Sequence, residues 1–292
     1  MKNKWVGLFW VLVCYLVALL AAVLSVMYLP FESPVYKALA ADIIATAAVF
    51  GFSVIFRNAS FYDAYWSVAP VFIALYWKYS FGGMEWSIPE IVSFLVILVW
   101  SVRLTTNWYR GWEGLSHEDW RYKQLREQTG KSYPLVNFSG IHLFPTLIVF
   151  AACLPLISVY TSDAMSLDLV SVFAIITGLA AAAIQWFADE QMRAHRAKKR
   201  FTNKKEIIDT GLWKYSRHPN YFGEILFWFS ILLFGISAGN MEWWMYSGII
   251  CMILLFVFIS IPLMENRMLV KYPQYIVEQK RKSALIPWFK ND

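Results

Sequence analysis

Charged residues are scarce in this sequence. They make up 16% of the 292 residues, whereas 59% of the residues are hydrophobic. A soluble domain of this length carries more charge to cover its surface. The composition therefore excludes a disordered chain and an ordinary soluble enzyme.

Cysteines and the common nucleotide and metal motifs are also missing or sparse. The three cysteines, Cys14, Cys153 and Cys251, lie in separate apolar runs, which argues against a disulfide framework and a zinc site. The chain has no GxGxxG or Walker loop, no HExxH and no GxSxG. A Rossmann or P-loop nucleotide site, a metal centre and a serine hydrolase are therefore not supported.

Apolar stretches and aromatic residues are abundant. Aromatics reach 18%, with 15 Trp, which suits a protein that is anchored at two membrane interfaces. Eight stretches approach the roughly 17–25 residues needed to cross a bilayer. They are Trp5–Tyr28, Ala38–Phe56, Tyr65–Phe81, Ile88–Trp108, Ile141–Tyr160, Leu167–Ala188, Phe222–Ile236 and Trp243–Leu263. We therefore expect an all-α polytopic membrane bundle of about eight transmembrane helices, whose cytoplasmic loops cap a site.

The basic residues predict the orientation. With eight spans and a cytoplasmic N-terminus, 23 of the 26 Lys and Arg fall in cytoplasmic segments. This asymmetry follows the positive-inside rule and explains the basic loops without a nucleic-acid partner. We expect an integral membrane protein, in a bacterial inner membrane, with both termini cytoplasmic and the first span retained rather than cleaved as a signal peptide.

The segment Gly211–Glu224 precedes the seventh span and carries one candidate site. Pro219 suits a first helical turn. Asn220 and Glu224 are four residues apart and share one helix face. A carboxylate at the membrane edge is costly and usually functional. The alternative is a capped helix start with an acid that snorkels to the interface.

A polar stripe ends the sixth span. Its members, at helical spacing, are Gln185, Asp189, Arg193 and Arg196. An amide, an acid and two guanidiniums suit a ligand with amide, hydroxyl and phosphate groups. A solvated, salt-bridged helix end is the alternative, and it explains Gln185 poorly.

Two further features lie near the third and fourth spans. Arg103 lies inside the fourth span and requires an acidic partner or a route to the interface, and Arg110 follows it. Asp63 is a lone acid between Tyr62 and Tyr65, which makes these three residues a candidate proton-donor cluster. An aromatic interface belt is the alternative for the two tyrosines.

At these residues the chain resembles the membrane steroid 5α-reductase-like family, in its bacterial DUF1295 branch. The matching segments are Ser101–Tyr122, Gln185–Arg196, Gly211–Glu224 and the tail from Arg281 to Pro287. Members are polytopic enzymes that use NADPH to reduce an activated carbon–carbon double bond, typically an enone in a steroid or lipid. The resemblance implies one integral-membrane domain over residues 1–292, with N-terminal helices in 1–60 and a reductase-like region in 61–292.

The resemblance also implies site roles. The cofactor-binding residues would be Arg103, Arg110, Gln185, Asp189, Arg193, Arg196, Tyr215, Asn220 and Glu224. The catalytic residues would be Asp63, Tyr62 and Tyr65, and a hydrophobic substrate would enter from the bilayer. The steroid enzymes bind the substrate carbonyl with a membrane Glu and a Tyr. Here the nearest residues are Asp63 and Trp100, so NADPH binding is implied more strongly than steroid specificity.

A second family shares part of the pattern. Membrane isoprenylcysteine and phospholipid methyltransferases, which bind S-adenosylmethionine, resemble Arg217–Tyr221 followed by the Glu265–Arg267 helix and a tyrosine-rich tail. The alternatives to a reductase are therefore such a methyltransferase or a non-catalytic lipid-binding membrane protein.

Overall fold

A computed structural model describes residues 3–162, 166–202 and 206–289 of the chain. These residues form a bundle of helices and contain no β-strand. The first six α-helices are α1 Lys4–Tyr28, α2 Pro34–Ile55, α3 Tyr65–Trp77, α4 Ile88–Gly111, α5 Trp120–Thr129 and α6 Tyr133–Val136. The others are α7 Phe144–Cys153, α8 Pro155–Thr161, α9 Leu169–Thr202, α10 Pro219–Ala238, α11 Ser247–Leu254, α12 Ile261–Lys271 and α13 Tyr275–Arg281.

Seven helical stretches among the described residues are long and apolar enough to cross a membrane, by length and composition. They are Lys4–Tyr28, Pro34–Ile55, Ile88–Gly111, Trp120–Thr161, Leu169–Lys199, Pro219–Ala238 and Trp243–Lys271. Two of them continue through π-helical turns, at Asn137–Leu143 and at Leu255–Ser260. The expected all-α polytopic membrane bundle is confirmed.

The third expected span is helical but differs from the other seven. α3 continues as a π-helical turn, Lys78–Gly82, and packs against α4 and α7 within the bundle. Its end is polar, because Lys78 is buried there and pairs with Glu90 at 2.9 Å. Among the described residues, seven of the eight expected spans are therefore helices of membrane length, and the third is a shorter helix.

α9 and α10 form a closely packed helix pair that positions the site. A Cβ atom on Gly223 would lie 2.6 Å from Cγ of Gln185, so only glycine allows α10 to approach α9 this closely. One turn further along α10, the ring of Phe227 stacks on Trp100 of α4, with ring centroids 4.3 Å apart. The three helices α4, α9 and α10 therefore meet around one buried point.

The cytoplasmic placement of the C-terminal half of α9 is a testable prediction. We expect Lys198→Cys to react with a membrane-impermeant maleimide only after the membrane is opened, and Ser166→Cys to react in intact cells. Both residues are exposed. The measurement uses a background in which Cys14, Cys153 and Cys251 are replaced. Labelling in the reverse order would invert the orientation and move the site described below to the outer face.

Candidate functional site

A buried arginine joins α4 to α9. Arg103 is 7% exposed, and its Nη1 donates to Oε1 of Gln185 at 3.0 Å. Its Nη2 forms an ion pair with Asp189, one turn further along α9. The arginine inside the fourth span therefore finds the acidic partner that the sequence requires, and the expected stripe on α9 supplies that partner.

Further polar contacts join α4 to α9 toward the C-terminal ends of both helices. Nη2 of Arg193 donates to Oδ1 of Asn107 at 2.7 Å, and its Nη1 lies 3.2 Å from Glu190. Glu190 also pairs with Arg110. On α9 the partners of Arg103 precede those of Asn107 and Arg110, in the order of these residues on α4, so the two helices run parallel. Asn107 escaped the sequence analysis, although it lies one helical turn after Arg103.

Glu224 forms the inner end of this polar group. It is 4% exposed, and its carboxylate accepts three N–H bonds. The indoles of Trp100 and Trp228 donate at 3.1 and 3.0 Å, and Nε2 of Gln185 donates at 2.5 Å. Trp100 thus holds Glu224 against α4.

Six of the nine expected cofactor residues are therefore brought together, and they contact one another or Glu190 and Asn107; the six are Arg103, Arg110, Gln185, Asp189, Arg193 and Glu224. Two buried atoms have no hydrogen-bond partner: Nε of Arg103, and Oδ1 of Asn220, which lies one turn before Glu224 on α10. Arg196 is exposed on the same stripe, two turns beyond Asp189. These three positions are where a ligand can add contacts without displacing a partner.

Tyr215, the last of the expected cofactor residues to be located, lies apart from this polar group. It lines a groove of about 540 Å³ on a different face of α9, together with Phe187, Gln191 and Lys214. Its backbone carbonyl accepts a hydrogen bond from the amide of Trp288 at 3.0 Å, so the tail packs beside it. The structure does not place Tyr215 with Gln185 and Glu224.

The expected cluster of Asp63, Tyr62 and Tyr65 does not form as one hydrogen-bonded group. Asp63 accepts from the hydroxyl of Tyr122 at 2.6 Å. Burial raises the pKa of its carboxyl to about 6, while the nearby guanidinium of Arg121 opposes the shift. The physical reason is the helix α5, which brings Tyr122 and Arg121 over the acid. The candidate cluster is therefore divided, because Asp63 contacts α5 while the two phenols have other partners.

The two phenols instead face the interior of the bundle. The hydroxyl of Tyr62 lies 2.8 Å from Oγ1 of Thr146, and that of Tyr65 donates to Oδ1 of Asp42 at 2.8 Å. Asp42 is 6% exposed and its second oxygen, Oδ2, has no partner. The sequence analysis missed Asp42, although a lone acid within the apolar run Ala38–Phe56 is a signal for a functional residue.

A second buried polar group ties the α10 motif to the C-terminal region. Glu265 on α12 accepts from Nε of Arg217 at 2.6 Å, from Nε2 of His218 at 3.1 Å and from Nε2 of Gln279 at 2.7 Å. The amide of Arg217 donates to the carbonyl of Ser283 at 3.0 Å. The motifs at Gly211–Glu224, at Glu265 and in the tail therefore form one packed unit.

The chain is similar in sequence to members of one protein family. The chain is 29% identical over 284 residues to "Uncharacterized protein C594.04c" of Schizosaccharomyces pombe (strain 972 / ATCC 24843), which covers 87% of this chain and 80% of the yeast protein. No solved structure matches the chain. A family model described as "Protein of unknown function (DUF1295)" matches residues 49–282. Because this match covers most of the chain, the protein belongs to the DUF1295 family.

Proposed function

We propose that the protein is a membrane reductase that uses NADPH to reduce an activated carbon–carbon double bond in a lipid-soluble substrate. One observation carries the proposal: amide, acid and guanidinium side chains follow one another in that order on one face of α9, from Gln185 through Asp189 to Arg193 and Arg196. NADPH presents a carboxamide, ribose hydroxyls, a pyrophosphate and a 2′-phosphate in the corresponding order.

The inner end of the group suits the nicotinamide half. Oδ1 of Asn220 is a buried acceptor without a donor, and a carboxamide N–H satisfies such an acceptor. Glu224 and Gln185 lie beside it on the same helix pair and offer further acceptors and donors. The fit therefore rests on an unsatisfied protein atom as well as on the residue types.

The outer end suits the phosphates. Arg110 and Arg193 both pair with Glu190, and Arg196 is exposed further along α9, so these three cations are matched by one paired acid. The pairs of Glu190 are about one third exposed and therefore contribute little stability. A phosphate can take the place of Glu190 as acceptor, and Arg binds phosphate in a bidentate geometry.

Asp42 and Tyr65 suit the substrate carbonyl better than Asp63 does. They supply a carboxyl and a phenol from two adjacent helices, which matches the acid and the tyrosine of the steroid enzymes. When bound, the cofactor supplies a hydride to the β-carbon of the alkene. Asp42, through Oδ2, would hydrogen-bond the carbonyl oxygen as enolate charge develops there. The substrate would reach this buried pair from the bilayer.

A methyltransferase is the second candidate. Its two matching motifs, Arg217–Tyr221 and the Glu265–Arg267 helix, contact each other through the hydrogen bonds of Glu265. Each oxygen of Glu265 already accepts from a protein donor, however. S-adenosylmethionine has no phosphate, so it leaves the arginines of α9 without a ligand. A purely lipid-binding protein would likewise leave the unpartnered Asn220 oxygen unexplained.

Nucleotide binding separates these candidates. We expect isothermal titration of the purified protein to show binding of NADPH and none of S-adenosylmethionine. Arg196→Ala should weaken NADPH binding by about 1.5–3 kcal/mol, the range for a hydrogen bond to a charged group. Arg281→Ala, which removes the same charge from an exposed position on α13, is the control and should bind like the wild type.

The opposite result is equally informative. If S-adenosylmethionine binds and NADPH does not, the reductase proposal is wrong and the Arg217–Tyr221 motif belongs to a methyltransferase. If neither ligand binds, both enzymatic readings fail.

A further inference from the structure

The groove beside α9 that contains Tyr215 has an apolar half and a polar half. Its volume is about 540 Å³. The apolar half is lined by four residues of a membrane-length helix, Ala180, Ala183, Ile184 and Phe187. The polar half is lined by Gln191, by the turn Gly211–Lys214 and by Tyr215. The groove therefore crosses the level at which α9 changes from apolar to polar.

The apolar half is open to the surroundings of the bundle. Phe187 is 57% exposed, and Ala183 is exposed beside it. At a rise of 1.5 Å per residue, the helix advances roughly 16 Å from Ala180 to Gln191. This length accommodates much of a lipid acyl chain together with the start of its headgroup. Apolar side chains that a membrane helix exposes in this way are covered by hydrocarbon.

The polar half is held firmly against α9. Nε1 of Trp213 donates to the carbonyl of Ala188 at 2.9 Å, and the amide of Leu212 donates to Oε1 of Gln191 at 2.9 Å. Gly211 has a φ of +60°, and a Cβ atom there would collide with the side chain of Gln191. Because the turn lies directly on the helix, the groove is formed before any ligand binds.

The cation at the polar end has no acidic partner. Lys214 is exposed, and none of the ion pairs among the described residues includes it. Its Nζ lies 5.7 Å from the ring centroid of Tyr215. An ammonium group and a phenol hydroxyl are both donors that a phosphate accepts from. The charge at this end of the groove is therefore complementary to an anion.

Exposed aromatic residues of the tail border the same end. Trp288 is 66% exposed and Phe289 is 76% exposed, and the ring of Phe289 lies edge-on to that of Tyr215 with centroids 6.2 Å apart. The amide of Trp288 donates to the carbonyl of Tyr215 at 3.0 Å, which fixes the tail at this position. Aromatic residues are enriched where hydrocarbon meets lipid headgroups. The polar end of the groove therefore lies at the level of the headgroups.

We propose that this groove is a binding site for one phospholipid with an anionic headgroup. Its acyl chain lies along Ala183 and Phe187, and its phosphate accepts from Nζ of Lys214 and from the hydroxyl of Tyr215. A lipid of this leaflet brings an anion and a hydrocarbon chain to these two depths at once. The site is separate from Glu224 and its partners, so the inference does not depend on the proposed function.

Native mass spectrometry of the whole chain, released from detergent micelles, tests the site. Phosphatidylglycerol and phosphatidylcholine with identical oleoyl chains are titrated separately into the delipidated protein. We expect one phosphatidylglycerol to bind more tightly than phosphatidylcholine. Lys214→Ala should weaken phosphatidylglycerol binding about fivefold, the contribution of one lysine near an anionic lipid surface. Lys214→Arg keeps the charge and should bind like the wild type.

Two pairs of variants separate this site from general attraction to lipid. Lys123→Ala removes the same charge from an exposed position on α5 and should bind like the wild type. Ala183→Phe fills the apolar half and should weaken both lipids about tenfold, the loss of roughly two buried CH₂ groups. Val172→Phe adds the same ring at an exposed position of α9 outside the groove and should have no effect.

Three results would overturn the proposal. Equal affinity of the wild type for the two lipids would show that the groove does not read the headgroup. Full phosphatidylglycerol affinity in Lys214→Ala or in Ala183→Phe would place the lipid elsewhere. A protein dimer that Ala183→Phe dissociates would show that a second copy of the chain fills the groove instead.

Discussion

Arg103→Ala is expected to lower the free energy of unfolding by about 3–5 kcal/mol, the cost of leaving one partner of a buried ion pair alone. The side chain of Arg103 is 8% exposed, and it holds both Asp189 and Gln185. Without it, a carboxylate and an amide oxygen remain buried without donors. Reversible denaturation in mixed micelles, without nucleotide, measures the loss.

Arg110→Ala is the matched control. Arg110 lies on the same helix and also pairs with an acid of α9, but its side chain is 37% exposed and that of Glu190 is 35% exposed. An exposed pair of this kind contributes about 0–1 kcal/mol. The double variant Arg103→Ala/Asp189→Asn should recover part of the loss, because it removes the unpaired charge. Equal losses in the two single variants would show that the Arg103 group does not hold the bundle together.

The helices and the α9 stripe could be predicted from the sequence because both depend on local spacing. Apolar runs of membrane length became helices, and Gln185 and Asp189 lie on one face because they are four residues apart. The need of Arg103 for a partner followed from its position in an apolar run. Its partner lies 86 residues away in the sequence. That pairing depends on how two helices are rotated against each other, and spacing does not determine this rotation.

The acids near α3 show why the other part of the site could not be predicted. Asp63 was flanked by phenols in the sequence, but neighbouring residues of a turn point in different directions. The position of α5, a helix within an expected loop, decides that Asp63 contacts Tyr122. Asp42 and Tyr65 are 23 residues apart on different helices, so no local pattern joins them. The sequence does identify Asp42 by itself as a candidate, because it is an acid within an apolar span.

Asp42→Asn is expected to lower kcat for reduction of an enone by about 100- to 10,000-fold, the contribution of a positioned general acid. Asparagine keeps the shape and can still accept from Tyr65, but it cannot give a proton to the enolate oxygen. A steroid enone with NADPH is the substrate pair for the assay. The Kd for NADPH should stay at the wild-type value, because Asn220 and Arg196, the expected nucleotide contacts, lie on other helices.

Asp63→Asn is the matched control for this variant. Asp63 contacts Tyr122 on α5, whereas Asp42 contacts Tyr65 on α3. We therefore expect near wild-type kcat in Asp63→Asn, and an intermediate loss in Tyr65→Phe, which leaves Asp42 in place but breaks its hydrogen bond. A large loss in Asp63→Asn with full activity in Asp42→Asn would transfer the donor role to Asp63. An acid that acts only in the transition state changes kcat without changing the affinity for the cofactor, and this separation distinguishes a donor from a residue that shapes the nucleotide site.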